Sequence, residues 1–178
     1  MPPTPTHGHR TMPIHAPALR ALAPAGALVL LAACAGRGAQ TSAATAPRAE
    51  FVAGTSTAPL SQFVRVGETI YLSGMLGTDA ARGGALVPGG ITPETRQALT
   101  NMRTALARSG AMNDVVKCTV FLADYAEWTA MNAEYATFFP AHKPARSAVA
   151  VSGMARNARV EIECIAVRGA GGPSAGGP

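Results

Sequence analysis

The residues that could do chemistry sit at three places in the second half and middle of the chain. Arg159–Val167 reads RVEIECIAV, in which Glu161 and Glu163 alternate with apolar neighbours. A strand has a side-chain period of two, so both carboxylates point to one face with Ile165 and Val167, and Ile162, Cys164 and Ala166 share the other. A carboxylate on an apolar face is costly unless it is paired, hydrated or put to work. On composition alone, a face meeting solvent or an interface is the commoner explanation, and proton transfer the rarer one. Pro144-Ala145-Arg146-Ser147-Ala148-Val149 carries an arginine into a strand directly after a rigid turn. A guanidinium is a planar fork that grips a carboxylate by two parallel hydrogen bonds, with an ordinary surface arginine as the bland alternative. Tyr71-Leu72-Ser73-Gly74 ends a strand in a hydroxyl and a glycine, a donor beside backbone that a ligand can approach.

Other chemistries lack their residues. Gly83-Gly84 and Gly89-Gly90 flank a turn and form no phosphate-binding loop of the nucleotide-binding kinds, and no serine or cysteine stands in a nucleophile elbow. Cys34, Cys118 and Cys164 lack metal-ligand spacing, while His7, His9 and His15 lie near the N-terminus and His142 stands alone. Neither a metal nor an organic cofactor is expected. The formal charge is +5, but the arginines are scattered and aromatics make up only 5%. A nucleic-acid surface usually clusters basic groups with stacking aromatics, so no nucleic-acid partner is expected.

The elements that must position these groups can be read from periodicity. Phe63–Val66 and Thr69–Ser73 are strands around the turn Gly67-Glu68. Residues 79–90 form a glycine-rich loop. Thr92-Pro93-Glu94 reads as a helix start, with Thr92 as cap, and the helix runs to about Ser109 with Ala98, Leu99, Met102, Ala105 and Leu106 on one face. Val115–Leu122 is an apolar strand. Asp124 caps a second helix, with Glu127 as capping-box partner and Trp128, Met131, Tyr135 and Phe138 as its buried stripe. Pro140 stops it, and Ser147–Val151 and Arg159–Val167 are the last strands. The order β-β-α-β-α-β-β, with two hairpin-like pairs, implies an α+β domain: one mixed sheet with both helices on one face. Nothing in the chain is left to cover the other face, so oligomerisation is expected.

The ends read differently. Ala21–Leu31 (ALAPAGALVLL) follows Arg20 and is too short for a spanning helix, which needs about 20 apolar residues. It fits the apolar region of a secretory signal. Leu31-Ala32-Ala33-Cys34 resembles a bacterial lipobox, in which Cys34 becomes the lipidated first residue. The expectation is therefore a signal peptide over 1–34, a flexible tether over 35–50, a domain over 51–168 and a disordered tail over 169–178. The mature protein would be held on the envelope membrane by its lipid anchor, facing the periplasm, with the outer membrane favoured because Ala35 rather than aspartate follows the cysteine. Met1 and Met12 both stand as possible starts. Cys118 and Cys164 lie mid-strand, where buried free thiols are favoured over a disulfide.

Residues 58–168 resemble the RidA/YjgF family. The likeness rests on Ala58-Pro59-Leu60-Ser61-Gln62, Tyr71-Leu72-Ser73-Gly74, Thr95–Met102, Val116–Leu122 and Met131-Asn132-Ala133-Glu134-Tyr135. Most specific are Pro144-Ala145-Arg146-Ser147 and Val160-Glu161-Ile162-Glu163. The resemblance implies a chorismate-mutase-like fold and a homotrimer with a cleft at each subunit interface. It also implies hydrolysis of reactive 2-enamine and 2-imine acids to 2-keto acids and ammonia. In that reading Arg146 grips the substrate carboxylate and Glu161, not Glu163, positions water. Ser73, Gly74 and Asn132 line the cleft. The chain departs from the family at Leu60, where a cleft tyrosine is usual, at Ala148, where a cysteine is usual, and at Met75, where a glutamine often follows Ser-Gly. These changes make the cleft more apolar and imply a preference for larger apolar side chains. The competing reading is a non-catalytic trimer that binds small carboxylates in the envelope; a ribonuclease role ranks last.

Overall fold

The computed structural model describes residues 46–55 and 57–172. The expected signal peptide, Cys34, most of the tether and the end of the tail lie outside the described residues. The strands are β1 (Ala49–Val52), β2 (Phe63–Val66), β3 (Thr69–Leu72), β4 (Met75–Leu76), β5 (Thr78–Asp79), β6 (Ala85–Leu86), β7 (Val115–Leu122), β8 (Ala145–Ala150) and β9 (Val160–Val167). The helices are α1 (Ile91–Leu106) and α2 (Trp128–Phe138). One sheet runs β1-β2-β3-β9-β7-β8, with β4 also paired to β9, and β5-β6 make a separate ribbon. The domain begins earlier than expected: β1 takes residues 49 and 50 out of the anticipated tether to pair antiparallel with β2. At the other end, residues 169–172 form a turn rather than a loose tail, and the Gly171 N–H donates to Asp114 Oδ1 at 3.2 Å.

The β2-β3 hairpin closes where expected, because Gly67 takes the left-handed φ of 59° that the tight turn requires. The last two strands do not form a hairpin. β8 runs parallel to β7 after the α2 crossover, and β9 inserts between β3 and β7, antiparallel to both. A parallel neighbour needs a crossover, which α2 provides.

Both helices pack on one face of the sheet. Ala98, Leu99, Met102, Ala105 and Leu106 of α1 are fully buried against Phe63, Ile70, Val120, Val160 and Ile162. The helix start differs from expectation: Gly90 holds the cap position without a side-chain cap, and Thr92 lies inside the first turn. Gly89 and Gly90 both have positive φ, so the glycine turn itself aims the chain into the helix. The helix ends at Leu106, three residues early, and the chain leaves through a turn in which the Gly110 N–H donates to the Leu106 carbonyl. Asp124 caps a short 3₁₀ turn through the Ala126 N–H, not α2 itself. Glu127 is drawn away from the expected capping box by Arg159, whose Nε lies 2.6 Å from its carboxylate. Within the α2 stripe Met131 and Tyr135 are buried, Trp128 and Phe138 are half-buried against the core, and Phe139 just beyond the helix is buried too.

The cysteines correct another expectation. Cys118 on β7 and Cys164 on β9 are directly opposed in the antiparallel register, with Cα atoms 4.1 Å apart, and they form a disulfide. Only the pairing of β7 with β9 brings them together, because 46 residues separate them in the chain.

Among the described residues the far face of the sheet is covered by no helix. It presents Tyr71, Lys117, Thr119, Phe121, Ser147, Val149, Glu161, Glu163, Ile165 and Val167 by strand alternation. Tyr71 is 49% exposed and Val149 45%, a large apolar contribution for a surface.

Candidate functional site

Arg146 stands on β8, laterally paired with Cys118 of β7. Cys118 is fully buried beneath the helices, so the same parity turns Arg146 to the helix side of the sheet. There it meets α2. Its Nη2 donates to Asn132 Oδ1 at 2.6 Å. Its Cζ lies 4.5 Å from the Tyr135 ring centroid and 5.8 Å from that of Trp128. These partners are neutral, and Arg146 makes no ion pair with any described residue. Its charge is therefore uncompensated among the described residues. Ala148, two residues on, shares this face beside Val120 and packs against the core. The Tyr135 hydroxyl is buried and has no hydrogen-bond partner among the described residues. Burial pushes its pKa up to about 12, against the opposing pull of the Arg146 charge.

Glu161 stands on β9, opposite Phe121 of β7 on one side and Leu76 of β4 on the other. Its neighbours Val160 and Ile162 are fully buried, which puts Glu161 on the uncovered face. Its carboxylate lies against Gly74: a Cβ built there would come 1.8 Å from Glu161 Oε1. Only a glycine allows that approach. Ser73, beside it, donates from Oγ to the Ser61 carbonyl at 2.7 Å, and its N–H donates to the Gln62 carbonyl at 3.1 Å. Leu60, one residue before Ser61, is 58% exposed. Glu163 lies farther along the same face, in a shallow groove with Tyr71, Lys117, Thr119 and Ile165.

The expected site residues thus fall into two groups. Arg146, Asn132 and Ala148 gather on the helix side near the β8 edge. Ser73, Gly74 and Glu161 gather at the β3–β4 junction on the uncovered face, with Leu60 on the adjoining loop. The sheet separates Arg146 from Glu161, so a single chain does not bring them together. Sequence reading assigned Trp128 and Tyr135 to the core and missed their second contact. The signal was present in their spacing with Asn132, since positions i, i+4 and i+7 share one helical face.

Ionic structure accounts for much of the other charge. Arg96 grips Glu134 through two hydrogen bonds of 2.8 and 2.7 Å. Arg159 holds Glu127, and its backbone N–H donates to Glu94 Oε2 at 2.9 Å. The carboxylate partners raise the pKa of both arginines. Among the described residues no three of His, Cys, Asp and Glu stand where they could hold a metal ion.

Residues 52–168 match the family described as Endoribonuclease L-PSP. The chain belongs to this family, that of RidA and YjgF. The match to the RidA/YjgF family runs from the last residue of β1 past the end of β9, so it spans both groups of residues. Two similar relatives are the 2-iminobutanoate/2-iminopropanoate deaminases of Mus musculus and Capra hircus. They are 47% and 48% identical over 112 residues, which is 62% of this chain and 82% and 81% of theirs. The crystal structure of the E. coli YjgF gene product superposes with a TM-score of 0.60 at 34% identity, covering 64% of this chain and 91% of that one. The α+β sheet with two helices on one face is the RidA/YjgF fold.

Proposed function

We propose that this protein hydrolyses 2-imino acids, and the 2-enamine acids that tautomerise to them, to 2-keto acids and ammonia. The observation that carries the proposal is Arg146: a guanidinium held in place by neutral groups, its charge uncompensated within the described chain. Such a group suits a carboxylate that arrives with the substrate. The names of the mouse and goat relatives support the same substrate class. Arg65, Arg96, Arg159 and Arg168 are each paired with a carboxylate, which weighs against their use in gripping an RNA backbone.

The chemistry needs few parts. Arg146 binds the carboxylate and sets the orientation of the C=N bond. Glu161 takes a proton from water as its oxygen bonds to the imine carbon, and passes that proton to nitrogen. Glu161 then moves the carbinolamine hydroxyl proton to the amine, and ammonia leaves as the C–N bond breaks and the carbonyl forms. One water is consumed and one keto acid and one ammonia leave, so no redox partner or electron sink is required. Asn132 orients Arg146, while Ser73 and the backbone at Gly74 border the carboxylate of Glu161. Leu60 and Ala148 supply apolar walls, which favours imines with larger apolar side chains.

Because Arg146 and Glu161 lie on opposite faces, the working site is one that two copies complete, with the helix-side edge of one chain meeting the uncovered face of the next. A head-to-tail contact forms a ring when its rotation closes, and a homotrimer is the closed arrangement we propose. The exposed Tyr71 and Val149 give that face the apolar area an interface needs.

We also propose an envelope location, with Cys34 lipidated and the domain facing the periplasm. The disulfide between Cys118 and Cys164 supports an oxidising compartment. Membrane recovery of the full chain, lost in Cys34→Ser, tests it; equal recovery of both forms refutes it.

The activity is tested with imines generated in situ by an amino-acid oxidase and trapped with semicarbazide. The domain from Ala35 onward should lower the trapped imine, and Arg146→Ala and Glu161→Gln should each lose roughly 10²–10⁴-fold in rate. Absence of acceleration with Ala-, Met- and Leu-derived imines would leave a carboxylate-binding trimer as the better reading.

A further inference from the structure

The contacts of Arg146 carry a second step, which rests on the reading of Arg146 as the carboxylate grip. A guanidinium on a long side chain must be held still to orient a substrate. A carboxylate partner would hold it but would also neutralise it. This chain holds it another way. Trp128, Asn132 and Tyr135 fall on one face of α2, and all three touch Arg146. The two ring faces attract the cation without cancelling its charge, and the amide oxygen takes one N–H. Tyr135 is itself fixed, since it is 6% exposed and stacks on Phe139 with ring centroids 4.8 Å apart.

We propose that Tyr135 and Trp128 are positioning residues for Arg146, forming with Asn132 a neutral cradle that sets the guanidinium plane and leaves its remaining N–H groups facing the substrate carboxylate. The ring of Tyr135 is the working part. Its hydroxyl makes no hydrogen bond in the described chain, so the cradle does not depend on it. Neither residue touches the reacting atoms.

The test compares Tyr135→Phe, Tyr135→Leu and Trp128→Leu in the trapped-imine assay. Direct binding of 2-oxobutanoate, a keto-acid product, is measured alongside by calorimetry, and thermal melting of each variant checks folding. Tyr135→Phe keeps the ring and should leave KM and the keto-acid Kd within about threefold of wild type. Tyr135→Leu removes the closer ring face and should raise both on the order of tenfold, with kcat changed less than KM. Trp128→Leu should raise them by a smaller factor, matching its longer distance, and serves as the measure if Tyr135→Leu does not fold. A Tyr135→Phe protein as impaired as Tyr135→Leu would assign the effect to the hydroxyl and overturn the proposal. Unchanged binding in both leucine variants would overturn it as well. Should wild type bind the keto acid without turnover, the deaminase reading fails while the Kd series still decides the cradle. Should wild type bind nothing, the grip and its cradle fall together.

Discussion

A site completed by two copies can be tested by mixing two dead proteins. Arg146 lies on the helix side of the sheet beside Cys118, and Glu161 on the uncovered face beside Phe121. Arg146→Ala spoils only the arginine half-site of its own chain, and Glu161→Gln only the glutamate half-site. In a closed ring each site pairs the arginine of one copy with the glutamate of the next. Any mixed trimer, whichever variant is in excess, then has one position where an intact arginine meets an intact glutamate. Co-expression with two different tags, followed by purification on both, isolates mixed rings. These should show about a third of wild-type kcat with unchanged KM, although either variant alone is nearly inactive. A dimer with two equivalent sites would instead return about a half. The trapped-imine assay reads the outcome, and a mass measurement of the intact assembly fixes the ratio of chains. Mixed rings no more active than the separate variants would mean that both residues act within one chain, and the two-copy site would be wrong.

Three further outcomes follow from individual contacts. Gly74→Ala puts a Cβ where Glu161 Oε1 now lies, 1.8 Å away, so the carboxylate must swing aside; kcat should fall on the order of 100-fold while the melting temperature shifts little. Retained activity in that variant would remove Glu161 from its assigned place. The disulfide spans 46 residues, and chain entropy alone makes it worth about 4 kcal/mol. Reductant, or the paired change Cys118→Ala with Cys164→Ala, should lower the melting temperature on the order of 10–20 °C, and two free thiols in denatured, unreduced protein would contradict the bond. Finally, the Tyr135 pKa is raised from 10.0 to about 12, so folding favours the neutral phenol. That contribution is full below pH 10 and is lost as pH rises towards 12, because the unfolded chain ionises first. Denaturant titrations between these values should show wild type losing stability more steeply than Tyr135→Phe, and parallel curves would refute the burial of the hydroxyl.

The candidate site was legible in sequence wherever its geometry depends on local order. The alternation of residues 160–167 was enough to put Glu161 and Glu163 on one face and Ile162, Cys164 and Ala166 on the other, because strand parity is a property of consecutive residues. Gly74 could be singled out as an approach point, and the structure adds that Glu161 is what approaches it. Helix ends were less legible. Thr92 and Asp124 had the right residue types for caps, yet the positive-φ glycines before α1 and the pull of Arg159 on Glu127 decided the outcome. A cap is a weak local preference of about 1 kcal/mol, and a tertiary ion pair or a forced turn competes with it directly.

By itself the sequence determined the two helices, the strands β2, β3, β7, β8 and β9, the buried stripe of α1 and the β2-β3 turn, and it singled out the groups proposed to bind a carboxylate and move a proton. What it could not determine was the relation between strands distant in the chain. Parity says which residues of one strand share a face, but not which face of the sheet that is. The answer depends on the partner strand and its register, and a slip of one residue would reverse it. The insertion of β9 between β3 and β7, and the parallel docking of β8, set those registers. They alone decided that Cys118 meets Cys164, that Arg146 lies in an aromatic cradle on α2, and that it is separated by the sheet from the glutamate it is proposed to serve.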